Sequence, residues 1–143
     1  MDDSTLTQTI AALLGGIDGW DWNPSPDAEY DRDAVVIQYG RIQTEPDQQV
    51  AVRVYFADDD VETQLSIRRV QLRFRGARER VDGADRLADQ AFDEIHGLSR
   101  VGGISGIRRI SIAQLGADTN SREERTDNYE ITLDNTEASW AIA

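Results

Sequence analysis

One stretch constrains the fold more than any other. Val70, Leu72 and Phe74 alternate with Gln71, Arg73 and Arg75, and Gly76 closes the run. Alternation with period two sets three apolar side chains on one face and three polar ones on the other, as in a half-buried strand. After a polar connection to Val81 the spacing changes. Ala84, Leu87, Ala88, Ala91, Phe92, Ile95 and Leu98 fall three and four apart and form the apolar stripe of a helix from about Asp82 to Gly97. Asp82 with Asp85 is the expected N-terminal cap, and Gly97 the left-handed stop. A strand with one apolar face and a helix with one apolar stripe bury them against the same core, so the other strands are expected around this pair.

The flanking segments supply those strands. Thr5 to about Leu14 reads as a helix, capped by Thr5 and Gln8 and stopped at Gly15-Gly16. Residues 18–33 read as a loop, rich in Asp, Pro and Gly. Trp20 and Trp22 in that loop are either anchors on the domain edge or contacts to a partner. Val35–Ile42 and Gln49–Ala57, with a turn at Thr44–Asp47 between them, read as an antiparallel hairpin. Leu65–Arg75 is the third strand. Leu65 and Ile67 are out of phase with Val70, which places a bulge at Arg68-Arg69. Ile107–Ala113 is the fourth strand, with Ile110 and Ile112 inward, and 114–124 a polar loop. Arg125–Asp134 is the fifth, with Tyr129, Ile131 and Leu133 inward. The tail from about Asn135, with Trp140, is read as flexible, loosely docked or ordered by a partner. The sum is one α+β domain over residues 1–143, in the order α-β-β-β-α-β-β.

The chemistry is mostly one of exclusion. The net charge is −12 and all 15 basic residues are arginine. A GC-rich genome or adaptation to high salt would each give that composition. So acidic a chain repels free nucleic acid and anionic membranes. No apolar run is long enough to span a bilayer, and Met1-Asp2-Asp3 does not begin a basic-then-apolar leader. With no cysteine and a single histidine, His96, placed as a surface residue at a helix end, Ser–His or Cys–His chemistry has almost no candidates. Asp58-Asp59-Asp60 reads as a solvated strand end rather than a metal site. Gly102-Gly103-Ile104-Ser105-Gly106 lacks the lysine and spacing of a phosphate loop. No catalytic residue, metal or cofactor is expected, and the chain is not read as an enzyme. Arg73 and Arg75 on an exposed strand face remain the charges of interest, pairing with carboxylates of this chain or of a neighbour.

Two segments resemble a known family. Val70-Gln71-Leu72-Arg73-Phe74-Arg75-Gly76, followed by an Ala-rich helix ending Ile95-His96-Gly97-Leu98, is similar to the centre of the minor capsid and tail terminator proteins of long-tailed, siphovirus-like phages. Leu115-Gly116-Ala117-Asp118, Asn120-Ser121-Arg122 and Asn128-Tyr129 resemble their closing segment. The likeness spans roughly residues 4–134. It departs at Ala117, where relatives often carry a polar residue, and in the 18–33 loop. It implies a curved, mainly antiparallel sheet of about five strands packed by two helices. It also implies a homo-hexameric ring at the head-proximal end of the virion tail, assembled in the host cytoplasm. Such a ring caps the tail tube, ends its growth and joins the head–tail connector or neck proteins. DNA would pass an acidic lumen without specific binding, and no membrane is involved. Gln71, Arg73 and Arg75, then Gly116, Asp118, Asn120 and Arg122, are the expected subunit or ring interface. Trp20, Trp22 and Trp140 are expected partner contacts. A head-completion or neck protein is the nearest alternative, and a monomeric acidic ligand-binding module or hydrolase the more distant one.

Overall fold

The structure is a computed structural model that describes residues 1–25 and 29–134; Trp140 and the rest of the tail lie outside the described residues. Two helices and six strands follow in the order α1 (Asp3–Leu14), β1 (Trp20–Asp21), β2 (Val35–Tyr39), β3 (Gln49–Asp59), β4 (Ser66–Arg75), α2 (Gly83–Ile95), β5 (Ile104–Ala117) and β6 (Glu123–Leu133). The strands form one open sheet in the order β1-β2-β3-β4-β6-β5. The α+β class and the mostly antiparallel sheet agree with the sequence reading. The sixth strand is the two-residue β1, inside the stretch read as loop.

Both helices cover one face of the sheet. Leu6, Ile10 and Leu14 of α1 and Leu87, Ala88, Ala91 and Ile95 of α2 meet Val50, Val52, Val70, Leu72, Phe74, Tyr129 and Ile131 in one core. At α1 the cap is Asp2 rather than Thr5: an Asp2 carboxylate oxygen accepts the Thr5 amide at 2.7 Å. At α2 Asp82 holds the cap position without a side-chain cap bond. Gly97 is left-handed (φ 85°), as its position after the apolar stripe requires. The strand-to-helix joint explains Gly76. A Cβ there would sit 2.5 Å from the Gly83 carbonyl carbon, so β4 and α2 approach backbone to backbone.

Three expectations are corrected. β2 and β3 pair in parallel, Val36 opposite Gln49 through Tyr39 opposite Val52, not as an antiparallel hairpin. Period-two alternation is the same in either direction, so the pattern alone was blind to it. The segment Gly40–Gln48 instead runs back along the sheet. The bulge lies on β3, between Val54 and Phe56, while β4 pairs with β6 without a break from Ile67 to Arg75. Arg68 misled the parity argument: it occupies a core-side slot, buried, with its charge met by Asp59 (2.7 Å) and Asp3 (2.8 Å). Finally, 114–117 is not loop. β5 runs on to Ala117 and forms a hairpin with β6, with register shifts at Ser105, Ile110 and Leu115. The shifts turn Ile112 out to 51 % exposure, where an inward position was expected.

Candidate assembly surface

The face of the sheet opposite the helices has no helical cover. Strand alternation places Arg53 of β3, Gln71, Arg73 and Arg69 of β4, and Glu124, Asn128 and Glu130 of β6 there. Gln71 donates to Asn128 at 3.3 Å. Arg73, with its side chain 47 % exposed, donates to one oxygen of Glu124 from Nε (3.0 Å) and Nη2 (2.9 Å). Glu130 sits between Arg69 (3.6 Å) and Arg108 of β5 (3.0 Å). The segments Ile67-Arg68-Arg69 and Ile107-Arg108-Arg109 thus place one arginine each on either side of one glutamate. Arg41 and Arg53 reach no carboxylate among the described residues. With Arg73, Gln71 and Glu124 they line a shallow depression of about 450 Å³.

Arg75 continues the alternation but not the exposure. It is 5 % exposed, buried where an exposed strand-face position was expected. Its Nε donates to the Asp47 carbonyl (2.9 Å), and Nη2 to the carbonyls of Pro46 (2.7 Å) and Thr44 (3.2 Å). Burial, with the nearby Arg122 cation, lowers its pKa from the usual guanidinium value. Arg122, also buried, grips the same segment: Nη1 reaches the Thr44 carbonyl (3.2 Å) and the Asp47 carboxylate (3.1 Å). Buried Gln49 takes the Gln43 amide and donates to the carbonyls of Gln43 and Pro46. Together they form a clasp over the 43–48 segment.

The other half of the clasp is the β5–β6 turn. Asp118 accepts the Asn120 amide (2.9 Å), the Arg122 amide (3.0 Å) and Arg122 Nε (2.9 Å). Partial burial pushes the Asp118 carboxyl up, but these bonds outweigh it and hold it below the usual carboxylate range. Asp47 is held low in the same way, against burial, by Arg78 and Arg122. Gly116 has φ 83°, next to the Leu115 register shift. Asn120 is exposed and offers its side chain to solvent. Trp20 takes the anchor role of the two considered: it is 6 % exposed and its Nε1 donates to Gln90 at 3.1 Å. Trp22 is half-buried against the core.

On the helix side a charged cluster joins α2 to the sheet. Fully buried Asp127 accepts Arg125 at 2.7 and 3.3 Å and Arg109 at 3.4 Å, and Arg125 also reaches Asp85 of α2 at 2.9 Å. The Arg109 guanidinium stacks over Phe92 at 4.3 Å, and Phe92 stacks on His96. His96 Nδ1 accepts the Arg109 amide at 3.1 Å, so this side chain ties β5 to the helix end. These charges satisfy one another, which is the structural use of buried pairs.

A family model described as bacteriophage tail terminator protein matches residues 13–135. The chain belongs to that family. The match runs from the last two residues of α1 through the whole sheet, so it takes in the clasp, the helix-free face and the β3–β4 and β5–β6 hairpins. No curated protein sequence matches the chain. As a member of the family this terminator is a structural component of the phage tail, and associates there with other tail components. Sequence reasoning placed Gln71 and Arg73 on the open face but did not group Arg41, Arg53, Arg69 and Arg108 with them. The outward parity of Arg53 was readable from β3. Joining it to β5 required the strand order, which alternation does not supply.

Proposed function

We propose that this terminator closes as a homo-hexameric ring on the head-proximal end of the tail tube. The ring ends tube polymerisation and presents its far side to the head–tail connector or neck. The family match over residues 13–135 carries this reading. Its partners are further copies of itself, the tail tube protein and the connector, and its action is geometric rather than catalytic. The exposed face bearing Gln71 and Arg73 supports them as interface residues, with Asp118, Asn120 and Gly116 at the tip of the adjoining hairpin. Arg75 and Arg122 serve that surface indirectly, by fixing the clasp beneath it. Trp22 and Trp140 are proposed contacts to other rings. A net charge of −12 lets DNA pass through without specific binding.

Deleting the gene in the parent phage tests the proposal. Overlong tails, or tails that do not join heads, are expected. Normal-length tails with leaking heads would instead mark a neck protein.

A further inference from the structure

We infer that the helix-free, arginine-bearing sheet face of one subunit docks on the acidic outer face of α2 of the next copy, so that the ring closes by head-to-tail contacts. This rests on the ring reading above. Two independent observations meet in it. The first is the sheet face itself. In a strongly acidic chain it gathers Arg41, Arg53, Arg69, Arg73 and Arg108 against Glu124, Glu130 and, near the β3–β4 tip, Asp58. Arg41 and Arg53 are exposed there without a carboxylate partner among the described residues.

The second is α2. Its exposed side carries Asp89, Asp93 and Glu94 with one cation, Arg86, which reaches Asp82 at 4.0 Å, and its last turn holds no basic residue. Carboxylates at a helix C-terminus face the negative end of the helix dipole, an arrangement that a cation brought from outside relieves. Asp89, Asp93 and Glu94 make no ion pair among the described residues, unlike Asp82 and Asp85 on the same helix. One surface thus has cations to spare, and the other has anions, two of which (Asp93 and Glu94) lie in the last helical turn, where the dipole disfavours them. They lie on opposite sides of the subunit, because both helices cover only one face of the sheet. Complementary patches on opposite sides of a subunit make a heterologous contact, and such contacts generate rings when the rotation closes. Arginine suits the pairing, since its planar fork matches carboxylate geometry. Nucleic acid is the poorer occupant, because the field of the whole chain repels it.

Native mass spectrometry and size exclusion with light scattering on the full chain test the inference. Arg53→Glu with Arg73→Glu, and separately Asp89→Arg with Asp93→Arg, should each raise the apparent dissociation constant of the oligomer at least about tenfold. All four changes in one chain should restore assembly, because the charges are exchanged rather than lost. Circular dichroism and melting check that each variant folds. Should a reversal misfold, Arg53→Gln with Arg73→Gln should give a smaller loss in the same direction. If the wild type forms rings and the reversals leave them intact, the inference is overturned while the ring reading stands. A wild type that is monomeric at every concentration overturns both. Reversals that spare the oligomer but abolish gel-shift binding of a 30-base-pair DNA duplex, a probe length of about three helical turns, would make the face a nucleic-acid contact and overturn the inference.

Discussion

Replacing Arg75 by Met separates the two roles open to the polar face of β4. Methionine keeps much of the apolar stem and removes every donor. Three carbonyls lose the guanidinium, those of Thr44, Pro46 and Asp47. They are not equally hurt. The Thr44 carbonyl keeps Arg122 and the Pro46 carbonyl keeps Gln49. The Asp47 carbonyl is left without another donor among the described residues. A buried acceptor without a partner costs about 1–3 kcal/mol, and the two shared bonds to a charged donor are lost as well. Removing a buried cation that sits near Arg122 returns part of this. A net loss of about 2–3 kcal/mol follows, which for a chain of this length lowers Tm by about 6–12 °C. Urea and thermal melts read it directly. Arg73→Met is the control. Its partner contact is half-exposed and contributes less than about 1 kcal/mol, so its Tm should stay within about 3 °C of the wild type, while the proposed ring assembly suffers. An Arg75→Met chain that melts with the wild type would refute the reasoning, because water would then be serving the 43–48 carbonyls as well as arginine does.

Further outcomes follow from the same packing. Asp127→Ala strands Arg125 in a buried site with only Asp85 left, and should lower unfolding free energy by about 3–5 kcal/mol in a urea titration. Gly76→Ala pushes a methyl group into the Gly83 backbone and should destabilise by about 1–3 kcal/mol or more, whereas Gly106→Ala, with open space around it, should be much milder. Asp47 and Asp118 are held below the usual carboxylate range in the folded chain. Their contribution is therefore fully present above the unfolded carboxyl value of about 3.9, and is lost as pH falls through the folded values. Melts across acid pH should show Tm falling in that window, with a shallower fall in Asp118→Asn.

The core of this fold was legible because its signals are local. The apolar stripe of α2, the alternation of β4 and the inward Tyr129, Ile131 and Leu133 of β6 are set by neighbours a few residues away, and each lies where the pattern puts it. The direction of β2 against β3 was not legible, because alternation has no polarity and the deciding contacts come from Gln49, Arg75 and Arg122. The bulge was misplaced for a related reason. Buried Arg68 imitates a surface residue in sequence, since only the fold brings Asp3 and Asp59 to it. The same blindness affected the site. Arg73 and Arg75 look alike in a one-dimensional pattern, yet one lies over open sheet and the other under the 43–48 segment.

That clasp also sets an order of events during synthesis. The residues it holds are made early, whereas the arginines that hold them come from β4 and from the β5–β6 turn. A ribosome adds about 5–20 residues per second, so the 43–48 segment waits for seconds between the arrival of Arg75 and that of Arg122. Until then β2 and β3 lack the second half of their lock, and the surface beside Arg73 has no fixed floor. A chain still being made therefore has no finished open sheet face. Arrival of the final hairpin is the step that closes the clasp.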